Sequence, residues 1–154
     1  MRTAVESWIE EPLMKFIDDS RVRIAVLLES SGRVLAQHGF TRSVDVMSAC
    51  ALAAAIHASA AEIGRQLDGT PFTTLHHAGH ERQIFLGELS TGKGAHILLT
   101  VFDDATSIGL VRLYFAELSR RLAGAAAGMA AAPPTFADFE SDLNRNLAKL
   151  FGRI

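Results

Sequence analysis

The residues best suited to chemistry are the histidines and the glutamate of segment 76–81 (HHAGHE). Imidazole and carboxylate groups are common ligands of Zn²⁺. On a regular β-strand, however, His76 and His77 point to opposite faces and cannot bind the same ion. His77, His80 and Glu81 could converge around the following turn, but no further His or Cys pair at metal-ligand spacing supports them. We interpret the segment as a polar strand end and predict neither a metal site nor a cofactor.

Other chemical signals are equally weak. The adjacent carboxylates Asp103 and Asp104 could form an acid–base pair, but their position between a strand and a helix is more typical of turn residues that offset the helix dipole. Segment 91–94 (TGKG) is too short for a phosphate-binding loop and is typical of a hairpin turn. Cys50 lies among helical alanines, which indicates a small buried thiol. We therefore predict that the chain is not itself an enzyme.

The composition further limits the class of protein. The chain has 154 residues, a net charge of −2 and 49% hydrophobic residues, which predicts one domain without the positive charge that nucleic acids or acidic membranes attract. The apolar stretch 44–63 is mostly alanine, and we expect it to be too weakly hydrophobic for a membrane span. Residues 1–19 hold five acidic side chains, unlike a signal peptide. We predict a cytoplasmic protein with no nucleic-acid partner and no membrane span.

Hydrophobic periodicity predicts the order α-ββ-α-βββ-α. A first helix opens with a capping box at Thr3 and contains Pro12, which should kink or restart it. The remaining elements are predicted as strands 22–30 and 33–37, helix 44–67, strands 72–78, 82–90 and 95–103, and helix 107–131. This order predicts an α/β fold of the α+β sandwich kind: a five-stranded antiparallel sheet with helices on its faces.

The strand ending at Phe102 is apolar on both faces. Ile97, Leu99 and Val101 point one way, and Leu98, Thr100 and Phe102 point the other. Such a strand normally has another layer packed on each side, so we expect it near the centre of the sheet. Thr106 or Ser107 is placed to cap the helix that follows.

The helix predicted over 44–67 has two apolar sides. The bulky side is predicted to lie on the sheet; it consists of Leu52, Ile56, Ala60, Ile63 and Leu67. The opposite side carries small residues where a solvated face would carry charges, namely Met47, Ala51, Ala54, Ala58, Ala61 and Arg65. Small side chains allow close approach of a partner, although alanines also simply favour a helix on a free face.

The chain divides into a domain over 1–131, a Pro-containing linker over 132–134 and an amphipathic helix over 135–154. The apolar side of this last helix is formed by Phe136, Phe139, Leu143, Leu147, Leu150 and Phe151. A single amphipathic helix of this length is marginal alone, so it should dock on its own domain, on a second subunit or on a partner.

Segment 101–113 (VFDDATSIGLVRL) resembles a signature of the MglB-type bacterial branch of the roadblock / dynein light chain family. The spacing of Phe72, His77 and Gly79 is similar to that branch, as is the terminal segment ending in 146–151 (NLAKLF). The similarity runs from about residue 22 to residue 151.

The resemblance implies a homodimeric GTPase-activating regulator of a small Ras-like, MglA-type GTPase, acting in cell polarity or gliding motility. Such a regulator supplies no arginine finger and instead positions the switch regions of the GTPase. The partner-binding residues that the resemblance and the small-residue side implicate are Ala54, His57, Ala58, Ala61, Glu62, Arg65, Phe136, Phe139, Leu143, Leu147 and Phe151.

Two other functions remain open from the sequence. A roadblock-type adaptor, scaffold subunit or effector would bind a small GTPase without changing GTP turnover. A small-molecule sensor of PAS or profilin-like layout would need a concave apolar pocket with a few polar anchors. The sequence also departs from the family pattern, because it reads Ala54-Ala55-Ile56 where many members carry Ala-Gly-Asn, and Glu62 stands where small residues are common.

Overall fold

The fold is seen in a computed structural model that describes residues 7–39, 45–91 and 93–131. The elements are α1 (Ser7–Ser20), β1 (Ile24–Glu29), β2 (Val34–His38), α2 (Val46–Asp68), β3 (Thr74–Ala78), β4 (Gln83–Thr91), β5 (Gly94–Phe102) and α3 (Ile108–Ala131). The predicted order of helices and strands is confirmed. The Thr3 capping box, the linker over 132–134 and the helix predicted over 135–154 lie outside the described residues.

The five strands form one antiparallel sheet in the order β2-β1-β5-β4-β3. β5 is the central strand and pairs with β1 on one side and β4 on the other, as its two apolar faces predict. Thr100 is a buried polar residue of this strand, and its hydroxyl donates a 3.0 Å hydrogen bond to the carbonyl of Phe85. The polar group is therefore satisfied inside the core.

Helices α1 and α3 cover one face of the sheet and form the larger core with it. Phe115 of α3 packs over Gly87 of β4 and meets the ring of Phe85 edge-on, with 5.0 Å between ring centroids. Helix α1 continues without interruption through the buried Pro12, so the predicted restart at this proline does not occur. Each strand thus gives one face to this two-helix layer.

Of the three described helices, only α2 packs on the opposite face. The side of α2 that faces the sheet is the opposite of the predicted one. The residues against the sheet are small; they are Cys50, Ala53, Ala54, Ala61 and Gly64. The bulky side that was predicted to lie on the sheet is solvent-exposed. Small side chains let the helix lie close to the sheet, and the sheet itself supplies the bulk of this second core through Val26, Leu28, Leu86 and Leu99.

Short polar contacts define the ends of the helices. The Asp45 carboxylate accepts hydrogen bonds from the backbone N–H of Ser48 at 3.2 Å and from its hydroxyl at 2.9 Å, which caps α2. Gly69 ends α2 with a positive φ of 79°. At the start of α3 the cap is Ser107, whose hydroxyl accepts from the N–H of Leu110.

Candidate partner-binding surface on helix α2

The exposed part of α2 has two distinct sides. The first, which we call the apolar stripe, consists of Leu52, Ile56, Ile63 and Leu67. Leu52 is 63% exposed and Leu67 is 72% exposed, values far above those of ordinary core leucines. Residues spaced by three, four and seven share one side of a helix, so the four lie on one side of α2, with the exposed Ser59 between Ile56 and Ile63. Exposed bulky apolar residues grouped in this way are typical of a contact surface.

The second side, which we call the small-residue strip, consists of Ala51, Ala58, Glu62 and Arg65, all exposed. Ala58 leaves the backbone of α2 open to close approach, whereas Ala51 already lies against the β1–β2 turn at Gly32. The Arg65 guanidinium donates to the Glu62 carboxylate at 2.9 Å, and this hydrogen bond lowers the pKa of Glu62. The strip therefore presents small side chains beside an ion pair.

The C-terminal part of α2, which carries Ile63 and Leu67 of the apolar stripe, lies toward β3. Phe72, which shortly precedes β3, packs against Gly64 of the helix. Near the other end of α2, the β1–β2 turn at Gly32 lies against Ala51. Within the described residues, β3 is an edge strand of the sheet, paired with β4 on one side only. The apolar stripe therefore runs toward the edge of the sheet that β3 forms.

The sequence-predicted partner residues of α2 do not all reach the surface. Ala54 and Ala61 are each 8% exposed and face the sheet, because the helix is turned toward it by its small side. His57 is partly buried, with its Nε2 3.8 Å from Glu88 Oε1 of β4. Ala58, Glu62 and Arg65 are exposed and form most of the small-residue strip. The predicted partner residues of the terminal segment lie outside the described residues; they are Phe136, Phe139, Leu143, Leu147 and Phe151.

The histidine segment is dispersed as the strand geometry predicts. His76 points to the face that α3 covers, where its Nε2 lies 2.7 Å from Gln83 Oε1 and its ring stacks on Phe102. His77, His80 and Glu81 are exposed. Across residues 7–39, 45–91 and 93–131, no group of three or more His, Cys, Asp or Glu side chains is arranged to hold a metal ion.

The acidic pair at 103–104 has a structural role at Asp103. Its carboxylate accepts a 3.0 Å hydrogen bond from the N–H of Ala105 and a 2.8 Å hydrogen bond from Arg23 Nε. These contacts, the backbone one first, hold the pKa of Asp103 below its usual value. The side chain thus stays charged and fixes the turn between β5 and α3.

A cleft between α1 and α3 has room for about one water molecule, with a volume of about 10 Å³. Pro12, Phe16 and Tyr114 are among its lining residues. Ligand sites for organic molecules have volumes of roughly 300–1,000 Å³, so this cleft does not provide the pocket that a small-molecule sensor needs.

Helix α2 also has the length and composition of a helix that could cross a bilayer, with a mean hydropathy of 1.5 over its most apolar 18 residues. The helix is therefore more hydrophobic than expected from the sequence. Only 22% of this stretch is buried in the protein, in keeping with the exposed stripe. Length and composition alone do not distinguish a membrane span from an apolar helix that packs against protein.

No protein-family model matches the chain, and a comparison with curated proteins also finds no match. Solved structures do match. MglB of Myxococcus xanthus superposes with a TM-score of 0.68 at 23% identity, over 77% of this chain and 94% of that one. The gliding protein MglB of Thermus thermophilus gives 0.67 at 21% identity, over 82% and 96%. A roadblock/LC7 domain of Streptomyces avermitilis gives 0.60 at 18% identity, over 76% and 93%.

These likenesses, with the five-stranded antiparallel sheet between one helix and two, define a roadblock-type α+β fold. Within that fold the arrangement is of the MglB type. The fold that the sequence resemblance implied is therefore confirmed.

The hydrophobic pattern of the sequence identifies the apolar stripe, but the prediction that the stripe packs on the sheet is wrong. The periodicity of Leu52, Ile56, Ile63 and Leu67 shows that these residues share a side and does not show what covers them. Gly64 was the available signal: a glycine in a helix interior costs stability, and here it lies where Phe72 packs most closely. A close-packing glycine marks the side of α2 that faces the sheet.

Proposed function

We propose that this protein is a non-catalytic, homodimeric regulator of a small Ras-like GTPase of the MglA type. It raises the rate of GTP hydrolysis by the GTPase and acts in cell polarity or gliding motility. The observation that carries the proposal is the MglB-type fold combined with a large exposed apolar surface on α2. The resemblance of segment 101–113 to the MglB-type signature supports the same assignment.

Dimerisation uses the apolar stripe. Fully burying a leucine or isoleucine side chain contributes about 1.5–3 kcal/mol, so the four stripe residues of two copies offer a strong driving force. The edge strand β3 beside the stripe adds open backbone hydrogen-bonding groups. A two-fold dimer brings the same stripe of each copy together, because such an interface is self-complementary.

The GTPase binds at the small-residue strip. Ala58 allows close approach, while the Glu62–Arg65 ion pair offers both charges to a polar partner surface. His57 is partly buried against Glu88 of β4 and lies outside the exposed surface of the strip. The terminal segment contributes a second contact through its apolar residues, namely Phe136, Phe139, Leu143, Leu147 and Phe151.

The regulator lowers the barrier to GTP hydrolysis by positioning. It binds the GTP form and holds the switch regions in the arrangement that hydrolysis requires, without an arginine finger. Regulation then comes from differential binding, since a protein with equal affinity for the GTP and GDP forms shifts neither state.

A binding measurement tests the partner assignment. The Ras-like GTPase encoded in the same genome is loaded with GDP or with a non-hydrolysable GTP analogue and titrated with this protein by calorimetry. We expect binding to the GTP-analogue form to be at least about tenfold tighter, a difference of about 1.4 kcal/mol. Equal binding to both forms would indicate a scaffold, and no binding to either would refute the proposed function.

A further inference from the structure

Helix α3 carries exposed apolar residues on the side that faces away from the sheet. Leu110 is 42% exposed and Leu113 is 58% exposed. Beyond them, the exposed positions on the same outer side are small, namely Ala116, Ala123 and Gly124, apart from Arg120. We call this surface, from Leu110 to Gly124, the α3 outer face. Leu110 and Leu113 make one end of this face apolar, and Arg120 lies between the small residues Ala116 and Ala123.

The neighbouring helix of the same layer is different. The exposed residues of α1 are charged; they are Glu11, Lys15 and Asp18. Lys15 is also engaged in an ion pair with Asp19 at 2.9 Å. Both helices lie on the same face of the sheet, yet only α3 exposes leucines to the outside. The α3 outer face is therefore an exception within a layer that is otherwise typical of a solvated surface.

We propose that the amphipathic segment 135–154 of the same chain docks on the α3 outer face, antiparallel to α3. The segment lies outside the described residues, and the proposal rests on its sequence and on the position of the helix that precedes it. Its apolar side chains recur at helical spacing from Phe136 to Phe151. Docking against Leu110 and Leu113 would cover apolar surface on both partners.

The connection between the two has the required length. α3 extends to Ala131, and the sequence then has two consecutive prolines, Pro133 and Pro134, which favour a change of chain direction. The four steps from Ala131 to Thr135 span at most about 14 Å. Packed helices lie about 8–10 Å apart. The linker is therefore long enough to turn the chain back beside α3 and too short to carry Thr135 far from its end.

The helical rise then aligns the apolar residues. Leu113 lies about 27 Å before Ala131 along α3 at about 1.5 Å per residue. A helix that starts at Thr135 reaches Phe151 after about 24 Å. If the segment runs back antiparallel to α3, Phe151 therefore lies beside Leu113, within about one helical turn along the axis. Ala116, Ala123 and Gly124, which lie between these levels on the described part of α3, have side chains small enough to allow close approach.

Docking of this kind regulates partner contact. The apolar side of the segment cannot cover α3 and contact a GTPase at the same time, so release from α3 precedes any contact in trans. This consequence rests on the proposed function. The docking itself does not, and the experiment that tests it contains no GTPase.

The test is disulfide crosslinking in the full chain. A variant with Leu113→Cys and Phe151→Cys is oxidised and analysed by non-reducing electrophoresis over a hundredfold range of protein concentration. Cys50 is fully buried and its burial raises the pKa of its thiol, so it remains in place as an unreactive residue. We expect an intramolecular crosslink, independent of concentration, in more than half of the chains.

The matched control carries Glu11→Cys with Phe151→Cys and places the thiol on the charged side of α1. We expect at least fivefold less intramolecular crosslinking in this control. Equal crosslinking in both variants would overturn the proposal, because it would show an undocked segment. A crosslink that joins two chains would also overturn it, because the segment would then dock on a second copy.

Hydrogen exchange of residues 136–151 provides an independent measurement without new thiols. We expect Leu113→Asp to speed exchange of this segment at least tenfold, while the fold remains intact by circular dichroism. Leu67→Asp, on the opposite side of the sheet, should leave the exchange unchanged. Faster exchange with Leu67→Asp alone would place the segment on the apolar stripe of α2 and overturn the proposal.

Discussion

Gly64 of α2 lies directly against Phe72, so that a Cβ at position 64 would sit 2.3 Å from the backbone nitrogen of Phe72 and 2.7 Å from its ring. The contact sets the distance between α2 and the start of β3. It therefore also sets the position of the apolar stripe relative to the edge of the sheet.

Because the nearest atom belongs to the backbone, Gly64→Ala should force α2 away from the sheet. We expect it to destabilise the protein by about 1–3 kcal/mol, as overpacking of a close contact typically does. The matched variant is Gly124→Ala, at an exposed helical glycine where the added Cβ has no atom of the described residues within 4 Å. It should stabilise by about 0.5–1 kcal/mol through helix propensity alone. Urea unfolding of both variants checks the pair; similar effects in the two would refute the close-packing account.

The apolar stripe should control the oligomeric state. Leu52→Asp would bury a carboxylate in each half of a two-fold interface. We expect the dissociation constant of the dimer to rise at least about 100-fold, which is about tenfold, or about 1.4 kcal/mol, for each copy. Sedimentation equilibrium measures the effect. Leu113→Asp is the control, because Leu113 is 58% exposed, close to the 63% of Leu52, but lies on α3. A wild-type chain that is monomeric at micromolar concentration would contradict this role of the stripe.

The small-residue strip should separate GTPase binding from dimerisation. Ala58→Arg places a long side chain where the partner approaches, and we expect it to abolish GTPase binding while the domain stays folded and dimeric. Ala105→Arg makes the same change at an exposed alanine of the turn between β5 and α3, outside both proposed binding surfaces, and should retain binding. Calorimetry with the GTP-analogue form gives the answer. Binding that survives Ala58→Arg would remove the strip from the interface.

The α2 cap should make stability depend on acid pH. Hydrogen bonds from the backbone N–H and hydroxyl of Ser48 lower the pKa of Asp45 in the folded state. A lowered pKa means that the stabilisation is present above the usual carboxyl pKa and is lost as the pH falls through the folded value. Asp45→Asn keeps a capping side chain but not the charge. We expect wild type to have a higher melting temperature than Asp45→Asn at neutral pH. This difference in melting temperature should vanish once the pH falls below the lowered pKa of Asp45. A difference that stays constant with pH would mean that the charge is not involved.

Much of the fold could be predicted from the sequence because β5 and its neighbours follow simple periodicities. Alternation along Ile97, Leu98 and Leu99 predicted a central strand, and the strand is central. Proline was less informative, since α1 continues through Pro12, which is buried in the layer with α3. Periodicity identifies the elements but does not say which of two apolar sides packs inside.

The orientation of α2 shows that limit most clearly. Leu52 and Ile63 are more hydrophobic than Ala53 and Ala54, so a rule of burying the most apolar side places them on the sheet. The sheet face is already filled by Leu86, and only small residues fit between it and the helix. Side-chain volume, rather than hydrophobicity, decided which side went inside.

The most direct test of the proposed function is GTP turnover by the Ras-like GTPase of the same genome, measured with increasing amounts of this protein. We expect the single-turnover rate to rise at least about tenfold and to reach a plateau whose position gives the stoichiometry, because positioning of the switch regions alone can lower the barrier by more than about 1.4 kcal/mol. The Ala58→Arg variant should give no stimulation at any concentration. A turnover rate that stays unchanged at saturating, binding-competent wild-type protein would contradict the proposed function.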